Sequence, residues 1–201
     1  GCIQLGGALD VLLHKTIEKY RLEENKILPK IQRMNPPKQL LAIRAKKLDA
    51  AFLPEQWATM AEEYGFRMLL TAKDVWPGME GSVLAVKEDL IRNHPDLVRT
   101  LVNVTQKATS WINEHPREAS VVVARQLSFA ENPLFPAEAA GSARELQVTP
   151  AVLFKSMSRL DYDTNITEQD AQEVIDYVAG LSYIKQGFPA QEILDLRFLN
   201  P

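Results

Sequence analysis

Cysteine is nearly absent: Cys2 stands alone among 201 residues, so no intrachain disulfide exists and the redox compartment stays open. No stretch reaches the roughly 18 consecutive apolar residues that a membrane-spanning helix needs. No leader of the secretory type is seen either, which reads as a mature, processed or fragmentary chain. Charge of one sign is also missing: 23 basic and 26 acidic residues leave a net charge of −3 without long runs. A nucleic-acid footprint would need a basic face or stripe, and His14, Lys15 and Lys19 near one helix end amount only to cations at a helix C-terminus. There is no GxGxxG, no GxxxxGK[ST] and no nucleophile elbow, so nucleotide binding and serine hydrolysis have no direct support. His14, His94 and His115 are far apart, without HxxxH, HExxH or a Cys/His cluster, so neither a metal site nor a cofactor is expected. No catalytic motif stands out among these residues.

What is present is enough apolar residue, 46%, for a full core in one or two domains. The first 86 residues alternate between two periodicities. A strand over residues 2–5 leads through Gly6 and Gly7 into a helix over 8–20, with Val11, Leu12, Ile17 and Tyr20 on one face. The Gly-Cys start resembles a lipidated terminus, but it runs straight into structure, and a buried position for Cys2 fits better. A short strand lies within 27–34, interrupted at Pro29. Pro36 and Pro37 open a helix over 38–45, because proline suits the first turn, where its missing N–H is not needed. Then come a strand over 48–53, a helix over 56–64 stopped by Gly65, and strands over 67–71 and 82–86. This β-α-β-α-β order predicts a mostly parallel sheet covered by helices, an α/β class.

From Lys87 onward the pattern is helical alone. Asn93-His94-Pro95 starts a long helix with Leu97, Leu101, Val104, Ala108 and Trp111 at alternating spacings of four and three. Glu114-His115-Pro116 begins the next, through Leu127. Thr149-Pro150 and Thr167-Glu168-Gln169-Asp170 open two more behind hydroxyl caps. Residues 128–148 read as a loop with a short helix. The division predicted is therefore an α/β lobe over 1–80 and a return strand with a helical part over 81–201. Those helices must bury their apolar faces, and a sheet not contained in this sequence is a candidate.

The strand over 48–53 carries one charge, Asp49, and is expected to be buried on both faces. A polar-aromatic turn at the C-terminal end of such a strand is where open α/β sheets place ligands. Glu55 can accept hydrogen bonds from a ligand N–H, and Trp57 offers a flat apolar wall. Equally, Glu55 could favour a helix start electrostatically while Trp57 packs in the core. Gly6 and Gly7 could present backbone N–H groups to a ligand or simply form a tight turn, and Asp10 in the first helical turn works against a bound anion. Trp76-Pro77-Gly78-Met79-Glu80-Gly81 could be a pocket rim, a hinge or an ordinary loop.

Ile3-Gln4-Leu5-Gly6-Gly7 before a helix, the run from Ala42 to Ala51 followed by Pro54-Glu55, Asn93 to Val98, Trp111 to Ala119 and Leu160 to Asp163 together resemble solute-binding proteins of ABC importers, in the nitrate/sulfonate/taurine and pyrimidine-precursor branch. Lys46 and Lys47 depart from the pattern where glycine is usual. The resemblance implies a type II periplasmic-binding fold, of which this chain would hold the second lobe and C-terminal helices, the first lobe's opening β/α segment being missing. It implies a small-molecule ligand, a membrane permease as partner, and a periplasmic or extracytoplasmic location. By position it assigns ligand contacts to Leu5, Gly6, Gly7, Glu55, Trp57 and Trp76. Acidic Glu55, with no arginine at these turns, favours a ligand with N–H donors over nitrate or a sulfonate. Two alternatives share the fold. A ligand-sensing domain of a transcription regulator would carry an N-terminal DNA-binding helix pair and more strand in its C-terminal half. A pyrimidine-forming enzyme would call for a cysteine-rich motif.

Overall fold

A computed structural model describes residues 1–127 and 148–199. Among them the named elements are helices: α1 (Ala8–Lys19), α2 (Glu24–Ile27), α3 (Pro36–Arg44), α4 (Glu55–Glu63), α5 (Ala72–Val75), α6 (Glu88–Asn93), α7 (Pro95–Glu114), α8 (Pro116–Leu127), α9 (Pro150–Met157) and α10 (Glu168–Gly180). Short 3-10 turns occupy Leu28–Lys30, Ala190–Glu192 and Leu196–Phe198. The loop expected over 128–148 lies, except for Val148, outside the described residues.

The α/β expectation is not confirmed, since no strand forms among the described residues. What survives of the parallel sheet is a single bridge, Cys2 to Arg33. Its backbone bonds are those of a parallel ladder: Cys2 N–H donates to the Gln32 carbonyl, and Met34 N–H to the Cys2 carbonyl, both at 3.1 Å. On its other side the Gly1 amino group donates to the Ala50 carbonyl at 2.7 Å, and Phe52 N–H to the Gly1 carbonyl at 2.9 Å. Residues 1–3 thus lie between two parallel extended neighbours, but the pairing goes no further because the chain turns at residues 4–7. The segment at 48–53 is not buried on both faces: Leu48 is buried, whereas Ala50 is exposed. Residues 67–71 and 82–86, expected as strands, form no ladder among the described residues, and Leu69 and Val83 stand 74% and 62% exposed. Sequence periodicity identifies extended segments; a strand also requires a neighbour to take its backbone groups.

The helix starts follow their local chemistry. The Asn35 side chain accepts from Lys38 N–H ahead of Pro36 and Pro37, and Thr149 and Thr167 cap α9 and α10 through Val152 and Asp170 N–H, as their sequences predict. Gly65, at φ +84°, takes the left-handed conformation that ends α4. His94 occupies the N-cap of α7, but its side chain makes no capping bond; Pro95 fills the first turn instead.

The described chain forms two compact units, neither of them a single stretch of sequence. One comprises Gly1–Pro77 and Pro116–Asp161. In it, Leu40, Met60, Ala61 and Val152 form one core cluster, with α9 packed on both α8 and α4. Cys2, Leu13 and Ile17 form another, backed by Ile31 and Phe52. Burial pushes the Cys2 thiol up from its ordinary range, so it behaves as a small apolar group. The second unit comprises Gly78–His115 and Tyr162–Pro201. Its core is Ala171, Ile175 and Ala190, with Ile184, Phe188 and Leu194 around them.

Candidate functional site

Parallel extended segments place their C-terminal ends on one edge, and here two turns meet that edge. Residues 1–3 run into Leu5, Gly6 and Gly7, while residues 50–52 run into Pro54 and Glu55. Gly6, at φ +74°, makes the left-handed turn before α1. Its N–H donates to Asp10 Oδ2 at 2.9 Å. Asp10 is fully buried, and Arg33 lies 2.5 Å from its Oδ1 while also reaching the Ile3 carbonyl at 3.3 Å. A carboxylate of the chain itself therefore stands at the start of α1 and answers the positive helix end there, which leaves no electrostatic call for an external anion. Leu5 is 67% exposed beside this turn.

Glu55 opens α4, and its Oε1 accepts from the Thr59 hydroxyl one turn on and from the Arg159 guanidinium, each at 3.1 Å. The second terminal nitrogen of Arg159 donates to Glu62 at 2.5 Å. Lys155 approaches the same Glu62 oxygen at 3.4 Å and Glu63 at 3.3 Å. Burial pushes the Glu62 carboxyl up, but hydrogen bonding to Arg159 and the charges of Arg159 and Lys155 outweigh it, so the group sits below the usual carboxylate range. The Glu62 bond likewise holds the Arg159 guanidinium above its ordinary value. This is a bridged cluster in which one planar cation joins two carboxylates of α4.

Trp57, two residues after Glu55, is half-buried against the Leu40–Met60–Ala61–Val152 cluster. Trp76 stands elsewhere. The Lys15 ammonium lies 5.5 Å from its ring, and Lys19 donates to the Asp74 carbonyl at 2.6 Å. Lys15 is eight residues beyond Gly7, about 12 Å along the axis of α1. The structure therefore brings the Leu5–Gly6–Gly7 turn and Glu55 to one edge, with Trp57 on the packed side of α4, and sets Trp76 against the far half of α1.

Sequence reasoning missed Arg159, which is 104 positions from Glu55. The view that no arginine stands near these turns holds along the chain and fails in space. Arg33 escaped in the same way, by pairing with Asp10 from another segment. Among the described residues no group of three or more His, Cys, Asp or Glu side chains could hold a metal ion. No helix among them is long and apolar enough to cross a membrane.

The family model described as NMT1-like matches residues 3–128, more than half of the 201-residue chain. The chain belongs to the NMT1-like family. That is a solute-binding family, which implies a fold of the periplasmic-binding-protein type and a small-molecule ligand. No curated protein and no solved structure matches this NMT1-like chain. The matched stretch takes in the Leu5–Gly7 turn, Glu55, Trp57 and Trp76, and ends before α9 and Arg159.

Proposed function

We propose that this NMT1-like chain captures a small solute for an ABC-type importer, handing it to a membrane permease outside the cytoplasm and catalysing no reaction. The observation that carries the reading is the family match over a stretch that contains both turns at the common edge. Ligand contact is assigned to Leu5, Gly6, Gly7 and Glu55, with Trp57 and Trp76 contributing from their own positions, Trp57 from the packed side of α4. The solute favoured is a heteroaromatic or amine-bearing molecule with N–H donors, because the acceptor at this edge is a carboxylate and a second carboxylate, Asp10, already occupies the start of α1. Nitrate and sulfonates would find these carboxylates in place and the nearby Arg33 and Arg159 already engaged by them.

Calorimetric titration of the intact protein with an aminopyrimidine, taurine and nitrate tests the reading. The aminopyrimidine is expected to bind and the two anions to give no heat. Glu55→Gln is expected to weaken binding by about 1–3 kcal/mol, since the amide keeps the size but is a poorer acceptor. Trp57→Ala is expected to weaken it too, with a parallel loss of stability through its core contacts. Tight binding of nitrate or taurine that Glu55→Gln leaves unchanged would overturn it.

A further inference from the structure

We infer that Arg159 is the positioning residue of the Glu55 site: it pins one carboxylate oxygen and leaves the other to receive a single N–H from the solute. The inference rests on the reading of Glu55 as a ligand acceptor and names what shapes that acceptor. Both bonds to Glu55 converge on Oε1, from the Thr59 hydroxyl and from Arg159, and among the described residues nothing donates to Oε2. Thr59 is fully buried and the Glu55 side chain keeps 15% exposure, so the carboxylate is fixed on its inner side and open on its outer side. Arg159 is itself held. Its other nitrogen is fastened to Glu62 at 2.5 Å, and the nitrogen facing Glu55 also lies 3.4 Å from the Thr59 hydroxyl and 3.5 Å from Met68 Sδ. A planar fork spanning two carboxylates of one helix sets the plane of both.

This geometry discriminates between solutes. A ligand offering two parallel N–H groups, such as an amidinium, needs both oxygens of Glu55 and must displace Arg159 from Oε1. A ligand offering one N–H takes Oε2 and leaves the pin in place. Arg159 also shares the charge of Glu55, so a full positive charge on the solute gains less there than at an unpaired carboxylate. The selecting residue lies beyond the stretch that defines the family match, which ends at residue 128. Chains alike over that stretch would then differ in the N–H pattern they accept according to what occupies this position.

The test titrates the full chain with 4-aminopyrimidine (one N–H available to a given acceptor) and benzamidine (two in parallel) at pH 7.5, with melting temperatures read alongside. Wild type is expected to prefer 4-aminopyrimidine. Arg159→Met is expected to weaken 4-aminopyrimidine about tenfold, the loss of roughly one hydrogen bond's worth of alignment, and to narrow or reverse the preference over benzamidine. Arg159→Lys keeps the charge without the fork and should restore stability more fully than the preference; it also serves if Arg159→Met does not fold. An unchanged preference in both variants, with only the melting temperature lowered, makes Arg159 a staple between α4 and the residues after α9 and overturns the inference. If Glu55→Gln abolishes binding while the Arg159 variants bind as wild type, this inference falls and the Glu55 reading stands. If wild type binds neither probe, both fall together.

Discussion

Helices α4 and α7 both carry an apolar face at helical spacing, yet they end in opposite situations. The nine-residue α4 buries Thr59, Met60 and Ala61 and is packed by α3 and α9. The 20-residue α7 buries only Val98, while Leu97, Leu101, Val104 and Trp111 are between 36% and 59% exposed. Within its unit α7 meets α6 and the Leu196–Phe198 turn, which take its other side: Gln106 donates to the Leu199 carbonyl at 3.0 Å and Asn113 to the Tyr162 carbonyl at 2.9 Å. Amphipathic spacing thus specifies that a face exists, and long-range partners decide whether it is covered. Stability should concentrate where segments distant in sequence meet, around α1, α4 and α9, and fall away along the outer row of α7.

The largest effect is expected where α1 meets residues 31–34. Arg33→Met removes the guanidinium from the fully buried Asp10 carboxyl, which should cost about 3 kcal/mol in chemical denaturation. A loss below 1 kcal/mol would mean that Arg33 is not what makes the buried position of Asp10 tolerable. Next comes Leu40→Ala in the cluster beneath α4. Leu40 has no exposed surface, and the cavity plus the lost transfer energy should cost about 2–5 kcal/mol. A value as small as a surface substitution gives would break the contrast between the two helices.

These two positions show what the sequence tells and what it withholds. The helix that carries Leu40 is legible because Pro36 and Pro37 act within its first turn, though nothing local marks Leu40 itself as core. The caps at Thr149 and Thr167 and the stop at Gly65 are legible for the same reason: each is a contact within four residues. The strands were misread because pairing is not local, and the segments at 67–71 and 82–86 have strand composition without strand neighbours. At the candidate site, Glu55 could be named from its place just before a helix and after an apolar segment, since that is position along the chain. Arg159 and Arg33 were not, because a guanidinium reaches its carboxylate through the fold and leaves no spacing to recognise.

A smaller effect separates the charged side of α4 from its apolar side. Glu62 has a folded-state pKa below its ordinary value of 4.5, so ionised Glu62 adds stability that is fully present above about that pH. As pH falls below 4.5 and through the depressed folded value, that contribution is lost. Melting temperatures of wild type and Glu62→Gln should therefore differ at pH 7 and converge in acid. A constant gap between the two curves from pH 7 to pH 3 would show that the Arg159 and Lys155 bonds to Glu62 do not depend on its charge.

The smallest effect is expected on α7 and probes the other half of the contrast. Val98→Ala, at the one buried position of the helix, should cost roughly 1.5–3 kcal/mol. Leu101→Ala, on the outer row, should cost less, about 1 kcal/mol, because Leu101 is already 36% open to solvent while Val98 is almost fully buried. The same row should bind an environment-sensitive apolar dye, and Leu97→Ser with Val104→Ser, at the two most exposed positions of the row, should reduce its fluorescence while moving the melting temperature little. The dye and the melt report different things: one reads apolar surface open to solvent, the other reads what folding has removed from it. A cost above 2 kcal/mol for Leu101→Ala, with no dye signal from wild type, would mean that the row is covered in solution and that α7 is packed as fully as α4.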